Sequence, residues 1–177
     1  MNIFYLDRAP VVAAQLMCDK HVVKMILESA QILSTAHRAI DGDDRANEAG
    51  FYKMTHKNHP STKWVRASKK NYEWLWNHFD ALLKEYTHRY SQHHATERLR
   101  NILFMPPLNI DVDAPFTDPP QCMPEHCRGD DTVAAYRTYY IVEKSAFATW
   151  KNRGIPEWFT TMTKKSRKDI MIGCSGD

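Results

Sequence analysis

Cys18-Asp19-Lys20-His21-Val22-Val23-Lys24-Met25-Ile26-Leu27-Glu28-Ser29-Ala30-Gln31 is the stretch on which the reading of this chain turns. Projected at 100° per residue, it is an amphipathic helix. Cys18, Val22, Met25, Ser29, Ile32 and Ala36 fall on one apolar-to-small stripe. His21, Lys24, Glu28, Gln31 and Thr35 fall on a polar stripe directly beside it. His21 and Glu28 are two turns apart, so they point almost the same way, with Lys24 between them. An imidazole, an ammonium and a carboxylate on the border of a buried face are partly desolvated, the setting in which pKa values shift. The plainer reading is a boundary ion pair, Glu28 with Lys24 at i, i+4, beside a half-buried His21. From spacing alone both readings stand, and structural ion pairs are the commoner case.

The rest of the chain sets the frame. Its 177 residues suit one α-helical domain, and 43% apolar residues supply a core. A net charge of +3 allows a nucleic-acid partner without demanding one. No run approaches the ~18 apolar residues of a membrane span. The start, Met1-Asn2-Ile3-Phe4-Tyr5-Leu6-Asp7, has neither the basic n-region nor the apolar h-region of a signal peptide. The four cysteines, 18, 122, 127 and 174, form no regular framework and read as reduced thiols of an intracellular, cytoplasmic protein. A monomer is expected.

Asp7-Arg8-Ala9-Pro10 is a helix start, and the first helix is expected over about 9–39, broken near Cys18-Asp19 and ended by Gly42-Asp43-Asp44. Asn58-His59-Pro60-Ser61-Thr62 starts a second helix, expected over 61–91. His59, Lys63, Arg66 and Lys70 step along one face of it as a basic stripe, where the helix dipole is also positive. That costs stability unless an anion is bound; a solvated face of long side chains is the plain alternative. Trp74 and Trp76 lie nearby, as base-stacking or core aromatics. Residues 102–129 carry six prolines and read as an irregular arm packed along the surface. Cys122, His126 and Cys127 lie within it, but they lack the paired C-x-x-C spacing of zinc ribbons, and no metal or other cofactor is expected. Asp130-Asp131 caps a third helix, expected over 132–151, and residues 160–177 form a basic tail. With no GxGxxG, no Walker motif and no strand alternation, the chain reads as all-α.

Two segments resemble the pyrimidine-dimer DNA glycosylases, the phage endonuclease V type and its bacterial relatives. That family's catalytic helix carries Asp-x-His and then a Glu at the spacing of Asp19-Lys20-His21 and Glu28. Its next long helix follows a His-Pro motif, here His59-Pro60-Ser61-Thr62-Lys63-Trp64. It continues through Tyr72 to His78 and ends on Lys84-Glu85-Tyr86-Thr87-His88-Arg89-Tyr90. The resemblance covers roughly residues 1–95. It implies a compact all-α enzyme acting on duplex DNA with a damaged or modified pyrimidine, in a bacterial or phage setting. In the family an N-terminal amine attacks C1′, the base leaves, a Schiff base forms and β-elimination nicks the strand. An α-amine suits this work, because its reference pKa is ~8 against ~10.4 for Lys.

Carried onto this chain, the resemblance makes Met1 the nucleophile, with Asn2 beside it, because Asn2 is too bulky for ready removal of Met1. It makes Glu28 the acid/base and cation stabiliser and His21 an orienting group. His59, Lys63, Arg66, Lys70, Gln31 and Tyr72 become substrate-binding residues. Leu27 stands where the family has an arginine that grips DNA, and Lys24 either replaces that charge or is itself an amine nucleophile. Two other functions fit the same residues: group transfer to or from a modified DNA base, and DNA binding without chemistry.

Overall fold

Pro10 at the first helical position starts α1 (Pro10–Leu16), and the Asp7 carboxylate accepts from the Ala9 amide at 2.9 Å just outside it. The computed structural model describes residues 1–161, so Lys164-Lys165-Ser166-Arg167-Lys168 and Cys174 lie outside the described residues. Met17 and Cys18 are extended and break the helix, and α2 (Asp19–Asp41) resumes at once. Gly42, at φ 93°, ends it in a conformation that favours glycine. A short α3 follows (Asp43–Glu48). His59 caps α4 (Pro60–Val65) through Nδ1, which accepts from the Ser61 amide at 3.2 Å. The second long helix is α5 (Lys69–Tyr90), capped by the Ser68 hydroxyl on the Asn71 amide and stopped at Ser91 (φ 54°).

The expected 61–91 helix is therefore two helices with a corner at Arg66–Ser68, where a serine takes over as cap. The expected 132–151 helix is shorter still. α6 (Thr132–Tyr139) is capped by Asp131, and a π-helical turn over Tyr140–Lys144 ends it. The chain leaves the helix there because its next residues are committed elsewhere. Thr149 Oγ1 and the Lys151 amide donate to the Asp19 carboxylate, and the Trp150 indole donates to the Leu16 carbonyl at 2.9 Å. No strand occurs among the described residues, as the patterning predicts.

α5 packs against both α1 and α2, and α4 closes the side between α2 and α5. The N-terminal run Ile3–Leu6 is buried in the same apolar cluster as α2, α5 and α6. Residues from 102 onward are tied along this assembly by single contacts. Tyr72 donates to the Leu103 carbonyl, Asp41 accepts from the Leu108 and Asn109 amides, and the Trp64 indole donates to the Thr117 carbonyl.

One charged knot holds the two long helices together. Arg89, with no exposed surface, donates to Glu85 at 2.7 Å, to Asp19 at 2.9 Å and to the Gln15 carbonyl at 3.0 Å. Arg153 closes a two-pronged pair on the same Glu85 at 2.9 and 2.8 Å. Burial alone would raise the Glu85 carboxyl, but Arg153 and Arg89 hold it below its ordinary value. Removing one partner of such a pair strands a buried charge. Arg89→Leu should cost about 3–5 kcal/mol in chemical denaturation.

Acid should loosen the fold by a second route. His21, His37 and His78 are pushed down to about 4, chiefly by burial. The folded state holds them neutral, while the unfolded chain takes up protons from about 6.5 downward. Their contribution is complete above that pH and is lost toward pH 4. The denaturation midpoint should be level from pH 8 to 7 and fall steadily between 6.5 and 4.

Candidate active site

The first four residues make a hook whose open end meets Glu28. Asn2 is its pivot. Its Oδ1 accepts from the Ile3 amide and from the Tyr136 hydroxyl, both at 2.8 Å, and its Nδ2 donates to the Cys122 carbonyl at 2.8 Å. Oδ1 also accepts from the Phe4 amide at 3.4 Å, the local contact asparagine favours in turns. Phe4 then adopts φ 55°, a left-handed conformation that costs of order 1–3 kcal/mol for a bulky residue. Its ring is held there by stacking on His21, with centroids 4.1 Å apart, and by edge contacts to Tyr136 and Tyr140. His21 is fixed in turn by a 2.6 Å hydrogen bond between Nδ1 and the Tyr140 hydroxyl.

The hook places two main-chain nitrogens against one carboxylate. Glu28 Oε2 accepts from the Asn2 amide at 3.0 Å and lies 3.7 Å from the Met1 amine. The Met1 side chain is 3% exposed although the residue as a whole is not buried, so its open part is the main chain, where the amine sits. Glu28 Oε1 lies 3.3 Å from Lys24 Nζ, and Lys24 is 70% exposed. The sequence offered an ion pair or a site at this position, and Glu28 meets both the lysine and the chain's own amine.

His59 adds an imidazole at the start of α4. Its Nδ1 is occupied as the α4 cap, which leaves Nε2 as the donor nitrogen of the neutral ring. Its pKa is lowered by partial burial, by the nearby N-terminal ammonium and by His56, against the opposing pull of Glu28. His59 thus lies within electrostatic reach of the amine and the carboxylate.

The other residues named from sequence divide. Gln31 is half-exposed one turn beyond Glu28 on α2. Lys63 and Lys70 are exposed, but the corner at Arg66–Ser68 puts them on different helices, so they do not form a stripe on one face. Arg66 is half-buried and donates to the Lys57 carbonyl at 2.6 Å. Tyr72 is fully buried between His37 and the Leu103 carbonyl and has no surface to offer a substrate. Trp74 is core, with its indole on the Arg8 carbonyl. Asp19 of the Asp-x-His motif is spent on the Arg89 knot.

Sequence patterning does not pick out Phe4, Tyr136 and Tyr140 for the site, and Cys122, weighed only as a metal ligand, contributes through its carbonyl. The two tyrosines sit four apart on α6 and its π turn, which reads as an apolar helix face. Only their hydroxyls, where phenylalanine would have served packing equally well, hinted at a polar duty.

A family model described as pyrimidine dimer DNA glycosylase matches residues 1–98, more than half of the chain. The protein belongs to this family. No curated protein and no solved structure matches the chain. The match spans the hook, α2 with His21 and Glu28, α4 with His59, and α5 to its end, so it contains the amine, the carboxylate and the helix pair that presents them. It stops before Cys122, Tyr136 and Tyr140, which support the hook from outside the matched region. A cleft of about 500 Å³ beside Asp7, Arg8, Asp131, Arg137 and Trp158 is not at Glu28. It holds two ion pairs, Arg8–Asp131 and Arg137–Asp7, and none of the groups that meet at the hook.

His21 is held neutral by burial first, then by the Lys144 and Lys24 ammonium groups. Its ring resonances in imidazole NMR should stay those of one neutral tautomer from pH 8 to 5 and titrate near 4. Tyr140→Phe should release the tautomer while leaving the helices intact.

Proposed function

We propose that the protein is a DNA glycosylase with strand-nicking lyase activity on a damaged or modified pyrimidine in duplex DNA, and that the Met1 amine is its nucleophile. One observation carries the proposal: the chain's own amine lies 3.7 Å from a carboxylate, at the end of a strained hook braced by His21, Tyr136, Tyr140 and the Cys122 carbonyl. Strain of this kind persists only where the surroundings over-determine it, and such positions cluster at functional sites.

The amine attacks C1′ of an extruded nucleotide and the N-glycosidic bond breaks, so the base leaves with the bonding pair. Glu28 faces the positive charge that develops on the sugar and stabilises it electrostatically. It also takes the proton that the Met1 nitrogen sheds once it has bonded to C1′. The nitrogen lone pair then breaks the C1′–O4′ bond, O4′ takes up the proton held by Glu28, and an imine joins Met1 to C1′. Loss of a C2′ proton then expels the 3′ phosphate by β-elimination, and water releases Met1.

His21 acts on the hook rather than on the substrate: it stacks on Phe4 and so fixes where the amine points. The neutral His59 offers its Nε2 hydrogen to the sugar or an adjacent phosphate. Lys24, Lys63, Lys70 and Arg66 supply positive charge for the phosphate backbone, with Gln31 beside Glu28 for the base. Leu27 leaves a gap where the family's arginine would stand, so the accepted base extends beyond pyrimidine dimers to other modified pyrimidines.

Glu28→Gln should lower nicking of dimer-containing or abasic duplex by roughly 10²–10⁴-fold while the circular dichroism spectrum is unchanged. One extra residue ahead of Met1 should abolish nicking as well. Full nicking by Glu28→Gln would remove Glu28 from the mechanism, and DNA binding without nicking by the wild type would reduce the protein to a DNA-binding module. A base altered without strand scission would make it a group-transfer enzyme on the same scaffold.

A further inference from the structure

We propose that His126, Cys127 and Glu143 hold a thiophilic divalent cation of the zinc type, and that this ion clamps the segment before α6 to the π turn after it. One candidate ligand atom from each of the three residues lies within 4.8 Å of the other two. His126 Nε2 and Glu143 Oε1 are already 2.9 Å apart. Metal–ligand bonds of 2.0–2.3 Å set ligand atoms roughly 3.3–3.8 Å apart around tetrahedral zinc, so small side-chain rotations complete the geometry.

Thiolate, imidazole and carboxylate together suit zinc and cobalt rather than magnesium or calcium, which take oxygen alone. Cys127 is 2% exposed and is a free thiol, which gives the ion a shielded floor. His126 and Glu143 are 58% and 37% exposed, which leaves a route in from solvent and an open fourth position.

The backbone supports the assignment. His126 and Cys127 lie in a single 3-10 turn (Glu125–Cys127), and Glu143 comes from the π turn. Turns of the π type are rare and frequently mark functional sites. The neighbouring cations are engaged elsewhere: Arg128 pairs with Glu125 at 2.9 Å, and Lys144 lies over the Tyr139 ring at 4.5 Å. The sequence spacing conceals the set because Cys122 is not part of it, its thiol facing the Ser61 hydroxyl at 3.5 Å.

The clamp reaches the hook. Cys122, which holds Asn2, is five residues before Cys127, and Tyr140, which holds His21, is three residues before Glu143. An ion there ties both supports to one point. This inference is independent of the glycosylase reading, since it concerns binding of a metal and not the reaction.

The test is cobalt(II) titration of the full chain after chelation, followed by absorbance. One equivalent should give a thiolate-to-cobalt charge-transfer band with tetrahedral visible bands, displaced by zinc. Cys127→Ser should lose the charge-transfer band, whereas Cys122→Ser and Cys174→Ser should keep it. Glu143→Gln changes an accessible side chain, folds normally by circular dichroism, and should weaken cobalt binding by roughly tenfold or more. No band in the wild type, a band that survives Cys127→Ser, or unchanged affinity in Glu143→Gln would each overturn the site.

Discussion

A guanidinium buried out of reach of water decides how the two long helices meet. Arg89 joins the end of α5 to the first residue of α2 through Asp19, and to the end of α1 through the Gln15 carbonyl. Asp19 in turn accepts from Thr149 and Lys151, so the strap after α6 is fixed to the same point. The register of α2, and with it the direction of His21 and Glu28, follows from this knot. Buried charge of this kind adds little net stability over an apolar substitute. Its value is that only one arrangement satisfies every partner.

The hook is the second half of the arrangement. A chain terminus is normally the loosest part of a domain, because few contacts oppose its conformational entropy. Here Asn2 uses both ends of its amide, Phe4 is stacked on a buried imidazole, and the Met1 side chain is packed away. Ordering these residues is unfavourable on its own, and the left-handed Phe4 adds to it. The outcome is a free amine at a set distance from a carboxylate, the preorganisation that nucleophilic catalysis by an α-amine needs.

Much of this was legible in the chain. The period of α2, the border position of His21, Lys24 and Glu28, the break near Cys18, the stop at Gly42 and the His59-Pro60 start are local signals, and local physics produced them. The corner at Ser68 was also local, a cap signal inside a run of apolar period. What could not be read is tertiary. The end of α6 depends on Thr149 and Lys151 reaching Asp19. Tyr72 has a helical period that fits core and groove equally. The contacts of Asn2 with Cys122 and Tyr136 join residues more than a hundred positions apart, with no motif at either end.

The account stands on the amine of Met1 being the group that meets the sugar. Borohydride trapping on duplex DNA with an abasic site, followed by peptide mass mapping, tests that directly. A covalent adduct on an intact Met1, lost when the amine is acetylated, is the predicted result. No adduct, or an adduct mapped to Lys24 or another lysine, would contradict it.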